Sequence, residues 1–210
     1  MDEGGDMMEI WLIPLIGYGF GCIQAAYLIG KLKKMDIRTV GSKNAGASNA
    51  TMTFGWKVGV SVALIDILKA VIAILIIGAL FDLSQADLHW KYMAGSGVVL
   101  GHDFPFFMRF RGGKGTASLV GVMAMIDWRM AIVGILAIIL VTIATDYIVF
   151  GTYAMLLVFL VFSIYLTMHV LPVGIAVGLI GLSVFLHRKN IGKILRGEER
   201  GLRSVLRRSS

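Results

Sequence analysis

The chain has 210 residues, 57% of them hydrophobic, with a mean hydropathy of +0.81 and a formal charge of +7. That is too apolar for an ordinary soluble domain, and one helical membrane domain spanning residues 1–210 is expected. No aromatic-interleaved basic patch or zinc-finger spacing accompanies the positive charge, so nucleic acid is not an expected partner; loops facing anionic lipid and cytoplasm explain it better.

The first apolar segment, residues 9–30, is long enough to span, since about 20 residues are needed. The acidic residues before it (Asp2, Glu3, Asp6, Glu9) are the reverse of a signal-peptide leader, so it is read as a mature helix. Gly17 and Gly21 form a small-x-x-x-small pair suited to close helix contact. Cys22 is the single cysteine and cannot form an internal disulfide. Polarity then rises through Lys31, Lys33, Lys34, Asp36 and Arg38 into Gly41-Ser42-Lys43-Asn44-Ala45-Gly46-Ala47-Ser48-Asn49. Ser and Asn side chains can donate to phosphate oxygens, and glycines bring backbone N–H groups close. A flexible connector between spans is the plainer reading of the same run.

A second spanning segment, residues 57–80, carries Asp66 and Lys69 at i,i+3 spacing, and in a membrane helix this pair should face the bundle interior as a structural ion pair. The third, residues 90–100, has a further close-packing pair, Gly97 and Gly101. It leads into residues 101–117, GHDFPFFMRFRGGKGTA, where Pro105 ends or kinks the helix. Consecutive glycines can form a concave nest for an anion, and Lys114 within it adds a full charge. The motif is not a Walker A loop, because Met108 stands where that pattern needs its first glycine. A basic loop that only fixes topology remains the alternative.

Segments at 115–126, 130–145, 148–168 and 170–186 complete a count of about seven, or five or six if the short ones only dip into the membrane, and His187 begins a basic tail, residues 187–210. Lys and Arg cluster after the first segment, in the central loop and in the tail, with only Lys91 and Arg129 opposite. The N-terminus is therefore expected outside and the tail in the cytoplasm, with all three polar stretches on the cytoplasmic face. His187, Asn190 and Ile194 lie about one turn apart, so His and Asn can point together from a continuing helix.

Three ordered stretches carry a resemblance: DIRTVGSKNAGASN (36–49), GHDFPFFMRFRGGKGTA (101–117) and HRKNIGKILRGEE (187–199), with Asp66-Ile67-Leu68-Lys69 between the first two. Together they resemble the bacterial acyl-phosphate-dependent glycerol-3-phosphate acyltransferases, over nearly the whole chain. The resemblance implies a multi-pass, all-α plasma-membrane enzyme of seven spans. It would transfer a fatty acyl chain from acyl phosphate to the 1-hydroxyl of glycerol 3-phosphate, releasing lysophosphatidic acid and phosphate. It implies no metal or organic cofactor, and a functional link to a soluble enzyme that makes acyl phosphate. The His-x-x-x-x-Asp motif of the other acyltransferase class is absent.

By the same resemblance Gly112, Gly113, Lys114 and Gly115 form a phosphate cradle. Ser42, Asn44, Gly46 and Asn49 surround the substrates, with Arg38, Lys43 and His102 in the substrate-binding set. His187 and Asn190 stand beside the reacting hydroxyl, completing with Ser42 and Lys114 the catalytic group, while Glu198 holds a cation structurally. Three positions depart from the family pattern: Lys43 replaces a usual Gly, Ser48 a usual Thr, and Met52 a usual Arg. Lys43 or Lys57 is expected to replace the missing charge with weaker geometry, since a guanidinium grips phosphate bidentately. The competing readings are a paralogue with another acceptor, a transporter of a phosphorylated metabolite and a non-catalytic lipid-binding protein. One-sided clustering of the polar motifs argues against the transporter, whose site belongs at the midplane.

Overall fold

A computed structural model describes residues 3–209, with side chains described from 11 to 205. Asp2 of the acidic leader lies outside the described residues, as do the side chains of Arg207 and Arg208. The chain forms two compact units, Met1–Ile126 and Asp127–Ser210. Unit 1 holds α1 (Glu3–Gly21), α2 (Ala25–Leu32), α3 (Ala47–Phe54), α4 (Trp56–Leu80), α5 (His89–Asp103) and α6 (Thr116–Ile126). Unit 2 holds α7 (Trp128–Thr145), α8 (Ile148–Thr167), α9 (Val170–Leu195) and α10 (Leu202–Ser209). Every described element is helical, and this is an integral membrane protein.

Each of the seven expected segments is helical, the first in two pieces, and among the described residues five stretches are long and apolar enough to cross a membrane: Trp11–Leu32, Trp56–Leu80, Trp128–Thr145, Ile148–Thr167 and Val170–Leu195. α5 and α6 fall short. At about 1.5 Å per residue they reach roughly 22 Å and 16 Å, against about 30 Å of hydrocarbon. The α4 helix shows the inverted packing of a membrane span. Leu64, Leu68, Ile72 and Leu75 are exposed on one side, while Val62, Asp66, Lys69, Ala70, Ala73 and Ile77 are buried on the other. Apolar residues cover both faces, so the polar pair marks the inward one.

Two ends differ from expectation. The first segment is broken after Gly21, and α2 restarts at Ala25. The break is stabilised by groups remote in sequence: Lys69 Nζ donates to the Gly21 and Ile23 carbonyls at 3.1 and 2.7 Å, and Gln24 Nε2 donates to the His102 carbonyl at 2.9 Å. The last segment does not stop near residue 186. α9 runs on to Leu195 and closes at Gly197, whose φ of +70° lets its N–H and that of Glu198 return to the Ile194 and Lys193 carbonyls. His187 and Asn190 therefore stand on a continuing helix, as their spacing suggests, and only the boundary near residue 186 is displaced.

The glycine pairs act as their spacing predicts. A Cβ at Gly17 or Gly21 would collide with the Ala94 or Val98 carbonyl of α5. One at Gly97 or Gly101 would collide with the Pro14 or Tyr18 carbonyl of α1. α1 and α5 thus pack backbone against backbone, bringing the C-terminal end of α5 beside the break after α1.

Candidate functional site

In unit 1 the first two polar loops are joined to each other. The first begins at Asp36, whose carboxylate accepts from the Arg38 N–H at 2.9 Å and caps a single 3₁₀ turn, Ile37–Thr39. The Arg38 guanidinium returns to the same carboxylate, lies over the Tyr27 ring and donates to the Met108 carbonyl of the second loop at 2.8 Å. Arg38 holds the Asp36 carboxyl below its usual range, chiefly through these side-chain hydrogen bonds. A backbone bond from the Ala45 N–H to the Gly112 carbonyl, 3.3 Å, ties the loops a second time. Beneath them Ala25, Ala26, Ile37, Ala45, Ala50, Val62 and Met108 form a small buried cluster.

Asn49, fully buried, is the hub of the first loop. Its amide nitrogen donates to the Ile37, Val40 and Asn44 carbonyls, and its oxygen accepts from the Ser42 N–H at 2.8 Å. Both atoms of the Asn49 amide are committed inward, so Asn49 organises the first loop, and Arg38 clamps it to the second; both belong to the expected substrate-binding set. Ser42 and Asn44 are half-buried on this scaffold, and Gly46 is the buried N-cap of α3. Lys43 is exposed and sits at φ +59°, a left-handed conformation that strains any residue with a Cβ by roughly 1–2 kcal/mol. That geometry explains why a glycine suits this position. Met52 is half-buried on α3, and Lys57 is exposed beside Trp56.

The second loop folds back onto the helix it leaves. The Gly112 N–H returns to the Asp103 carbonyl at 3.0 Å and the Gly113 N–H to the His102 carbonyl at 2.9 Å, satisfying the end of α5. Arg109 and Phe110 both take positive φ, 56° each, to make the reversal. A Cβ on Gly113 would overlap the His102 imidazole at Nε2, and Gly115 (φ +69°) lies over the Asp103 carboxylate. Each of these glycines is required by close approach or by φ. Lys114 is half-buried between them, and α6 starts one residue after Gly115. A glycine–lysine turn at a helix N-terminus presents backbone N–H groups, the positive end of the helix dipole and an ammonium together.

Below the turn lies a buried ionic cluster. Lys69 Nζ is 2.8 Å from both Asp66 Oδ1 and His102 Nδ1. Each buried ion costs several kcal/mol to desolvate, and removing one partner costs about 3–5 kcal/mol. The expected structural pair is present, extended by a histidine. Asp103 is also buried, with Oδ1 lacking a hydrogen-bond partner.

In unit 2, His187 is buried on α9. Its Nδ1 lies 2.9 Å from the Ser183 carbonyl oxygen, which can only accept, and 3.2 Å from Ser183 Oγ; the shorter contact favours a proton on Nδ1. The Tyr153 ring meets the imidazole edge-on at 5.8 Å. Asn190 Nδ2 donates to Glu199 Oε1 at 2.6 Å, whereas Glu198 pairs with the exposed Arg196 at 3.1 Å. The cation beside Glu198 is on its own chain turn, and Glu199 is the carboxylate that meets the candidate site residue. Sequence reasoning missed Gln24, Asp103, Ser183 and Glu199. Only Ser183, four residues before His187, had a local signal.

The fold is that of a polytopic α-helical membrane protein with a glycine–lysine turn at a helix N-terminus, clamped to a second polar loop. The family described as glycerol-3-phosphate acyltransferase matches residues 11–197, and the chain belongs to that family. It is 44% identical to glycerol-3-phosphate acyltransferase 1 of Oceanobacillus iheyensis over 198 residues, 92% of this chain and 95% of the relative. It is 37% identical to the glycerol-3-phosphate acyltransferase of Thermotoga petrophila, covering 92% and 96%. Among solved structures it is similar to PlsY (YgiH), an integral membrane glycerol 3-phosphate acyltransferase, in its glycerol 3-phosphate form. The TM-score is 0.83 at 30% identity, with 92% of this chain and 95% of that one covered. The lysophosphatidic acid form of PlsY aligns with a TM-score of 0.80 at 30% identity, covering 94% and 98%.

Proposed function

We propose that this chain transfers a fatty acyl group from acyl phosphate to the 1-hydroxyl of glycerol 3-phosphate at a bacterial plasma membrane. Family membership supports the acceptor and the product. The observation that carries the chemistry is the Gly112–Gly115 turn at the start of α6, fastened to the first polar loop by the Ala45–Gly112 and Arg38–Met108 bonds. Both substrates and the leaving group bear phosphate, so such a cationic turn suits the reaction.

In this reading the hydroxyl oxygen attacks the acyl carbonyl carbon, the carbon–oxygen bond to phosphate breaks, and the hydroxyl proton passes to a base. Acyl phosphate is already activated, so positioning and charge stabilisation supply much of the barrier reduction. Lys114 and the N–H groups at the start of α6 meet phosphate charge, and Ser42, Asn44 and Gly46 line the same pocket. His187 takes the hydroxyl proton on Nε2, the atom its Ser183 bond leaves basic, with Asn190 orienting the acceptor. Lys43 supplies the cation that Met52 lacks. The finer topology belongs to the proposal too: seven membrane segments, N-terminus outside, C-terminus cytoplasmic, one functional domain, and a soluble enzyme supplying acyl phosphate.

The test is phosphate release from acyl phosphate by purified protein. Release that requires glycerol 3-phosphate, yields lysophosphatidic acid and collapses in Lys114→Ala and His187→Ala supports the proposal. Full activity in both variants defeats the site assignment.

A further inference from the structure

Between the end of α9 and the start of α10 the chain passes through a non-helical strap, Gly197–Gly201, with Glu199 at its middle. Glu199 is half-buried between exposed Glu198 and Arg200, because its carboxylate turns back to α9, where Oε1 accepts from Asn190 Nδ2 at 2.6 Å. Both ends of the strap are fastened. At one end the Gly197 and Glu198 N–H groups close α9 on the Ile194 and Lys193 carbonyls at 3.0 and 2.8 Å. At the other end the fastening comes from the turn between α7 and α8. The Leu202 N–H donates to the Asp146 carbonyl and the Arg203 N–H to Asp146 Oδ1, 2.8 Å each.

This second attachment is a helix cap supplied from a distance. Gly201 is the N-cap of α10, its carbonyl accepting the Val205 N–H at 3.2 Å. A cap residue ordinarily offers a side-chain acceptor to the N–H two residues on, and glycine has none. Asp146 supplies that acceptor and sets a negative charge at the positive end of the helix dipole. The fit is close, since a Cβ at Gly201 would overlap the Asp146 carboxylate. Asp146 itself ends α7 at φ +69°, a conformation open to Asp, Asn and Gly. All of these groups lie in unit 2.

We propose that Asp146 is a positioning residue for the acyl transfer: by capping α10 it fixes the strap, the strap places Glu199, and Glu199 aims the Asn190 amide at the acceptor. This rests on the reading of Asn190 as the residue that orients glycerol 3-phosphate. The χ2 torsion of asparagine is broad, so an Asn190 amide without a fixed partner holds no single direction. Asp146 acts through the backbone of residues 199–203 and not on the reacting atoms.

The experiment uses full-length protein and two readouts, amide hydrogen exchange over residues 197–205 and steady-state kinetics with both substrates. Asp146→Gly deletes the carboxylate, keeps the backbone carbonyl and suits the positive φ, so the turn itself is spared. It is expected to speed exchange in the strap and the first turn of α10. It should also raise KM for glycerol 3-phosphate about five-fold, with KM for acyl phosphate unchanged and a smaller change in kcat. Asp146→Asn keeps the cap oxygen and should restore both readouts. Glu199→Ala should raise the same KM, and adding Asp146→Gly to it should raise it no further, because the two act in one line. Unchanged exchange in Asp146→Gly overturns the inference. So does a fall in kcat with both KM values unchanged, which is what a merely structural role gives. Additive effects in the double variant, or an Asp146→Asn variant as impaired as Asp146→Gly, overturn it as well. If Asn190→Ala raises KM for glycerol 3-phosphate and Asp146→Gly does not, the inference fails alone. If Asn190→Ala leaves that KM intact, the acceptor-orienting reading of Asn190 fails with it.

Discussion

His102 in unit 1 and His187 in unit 2 are both buried, and both are held at Nδ1. The groups holding them are opposite in kind. The Lys69 ammonium, which can only donate, lies 2.8 Å from His102 Nδ1; the Ser183 carbonyl oxygen, which can only accept, lies 2.9 Å from His187 Nδ1. The same side chain thus meets a donor in one unit and an acceptor in the other. Residue type alone does not assign a role to a histidine, and what meets Nδ1 does.

The sharpest way to break this contrast is at the centres themselves. Lys114→Ala is expected to lower kcat/KM by about 10²–10³-fold, the range for losing one preorganised charge donor. His187→Gln keeps a polar side chain without a basic nitrogen. It should lower kcat by about 10²-fold or more and remove the fall in rate on the acid side as the histidine protonates. A pH–rate profile checks both effects, and a retained acid limb would mean that another group is the base.

A smaller effect tests the His102 side. Gly113→Ala sets a methyl group against His102 Nε2, so KM for a phosphate substrate should rise about ten-fold, while the His187-dependent acid limb stays in place. Loss of the acid limb as well would show that the two histidines are not independent. Lys43→Ala should raise KM for glycerol 3-phosphate a few-fold, about 1 kcal/mol, if it supplies the missing charge. Unchanged KM there and in Lys57→Ala removes that idea. Lys43→Gly instead relaxes the positive φ and should raise Tm by about 2–4 °C, measured by thermal unfolding.

The smallest effect concerns the clamp. Hydrogen bonds from Arg38 lower the Asp36 pKa, so its contribution is complete above the ordinary carboxylate range. It is lost as pH falls through the depressed folded value. Melting curves from about pH 6 to pH 3 should show less acid destabilisation in Arg38→Met than in wild type, because the mutant has already lost the bond.

Much of this molecule was legible along the chain. Small-x-x-x-small spacing at Gly17/Gly21 and Gly97/Gly101 announced two close-packing helix faces, because residues four apart share a face; that the two faces meet each other is a tertiary fact. The i,i+3 relation of Asp66 and Lys69 announced an inward ion pair, and the order of the three polar motifs announced the family. Arg38 and Asn49 were less legible. Their types suit phosphate, yet one clamps two loops and the other holds a loop from within. Such commitments depend on carbonyls at Met108, Ile37, Val40 and Asn44, whose positions no local pattern reveals.

What the sequence by itself determined is therefore whatever repeats with the period of a helix: the apolar segments, the glycine faces, the Asp66–Lys69 pair and the reach from His187 back to Ser183. Only the tertiary structure decided the break after Gly21, the joining of the two polar loops and the meeting of Lys69 with His102. Each of these depends on a hydrogen-bond partner tens of residues away, brought near by packing two helices at glycine. Hydrophobic periodicity reports which face is buried, and it carries no record of which polar atoms meet there.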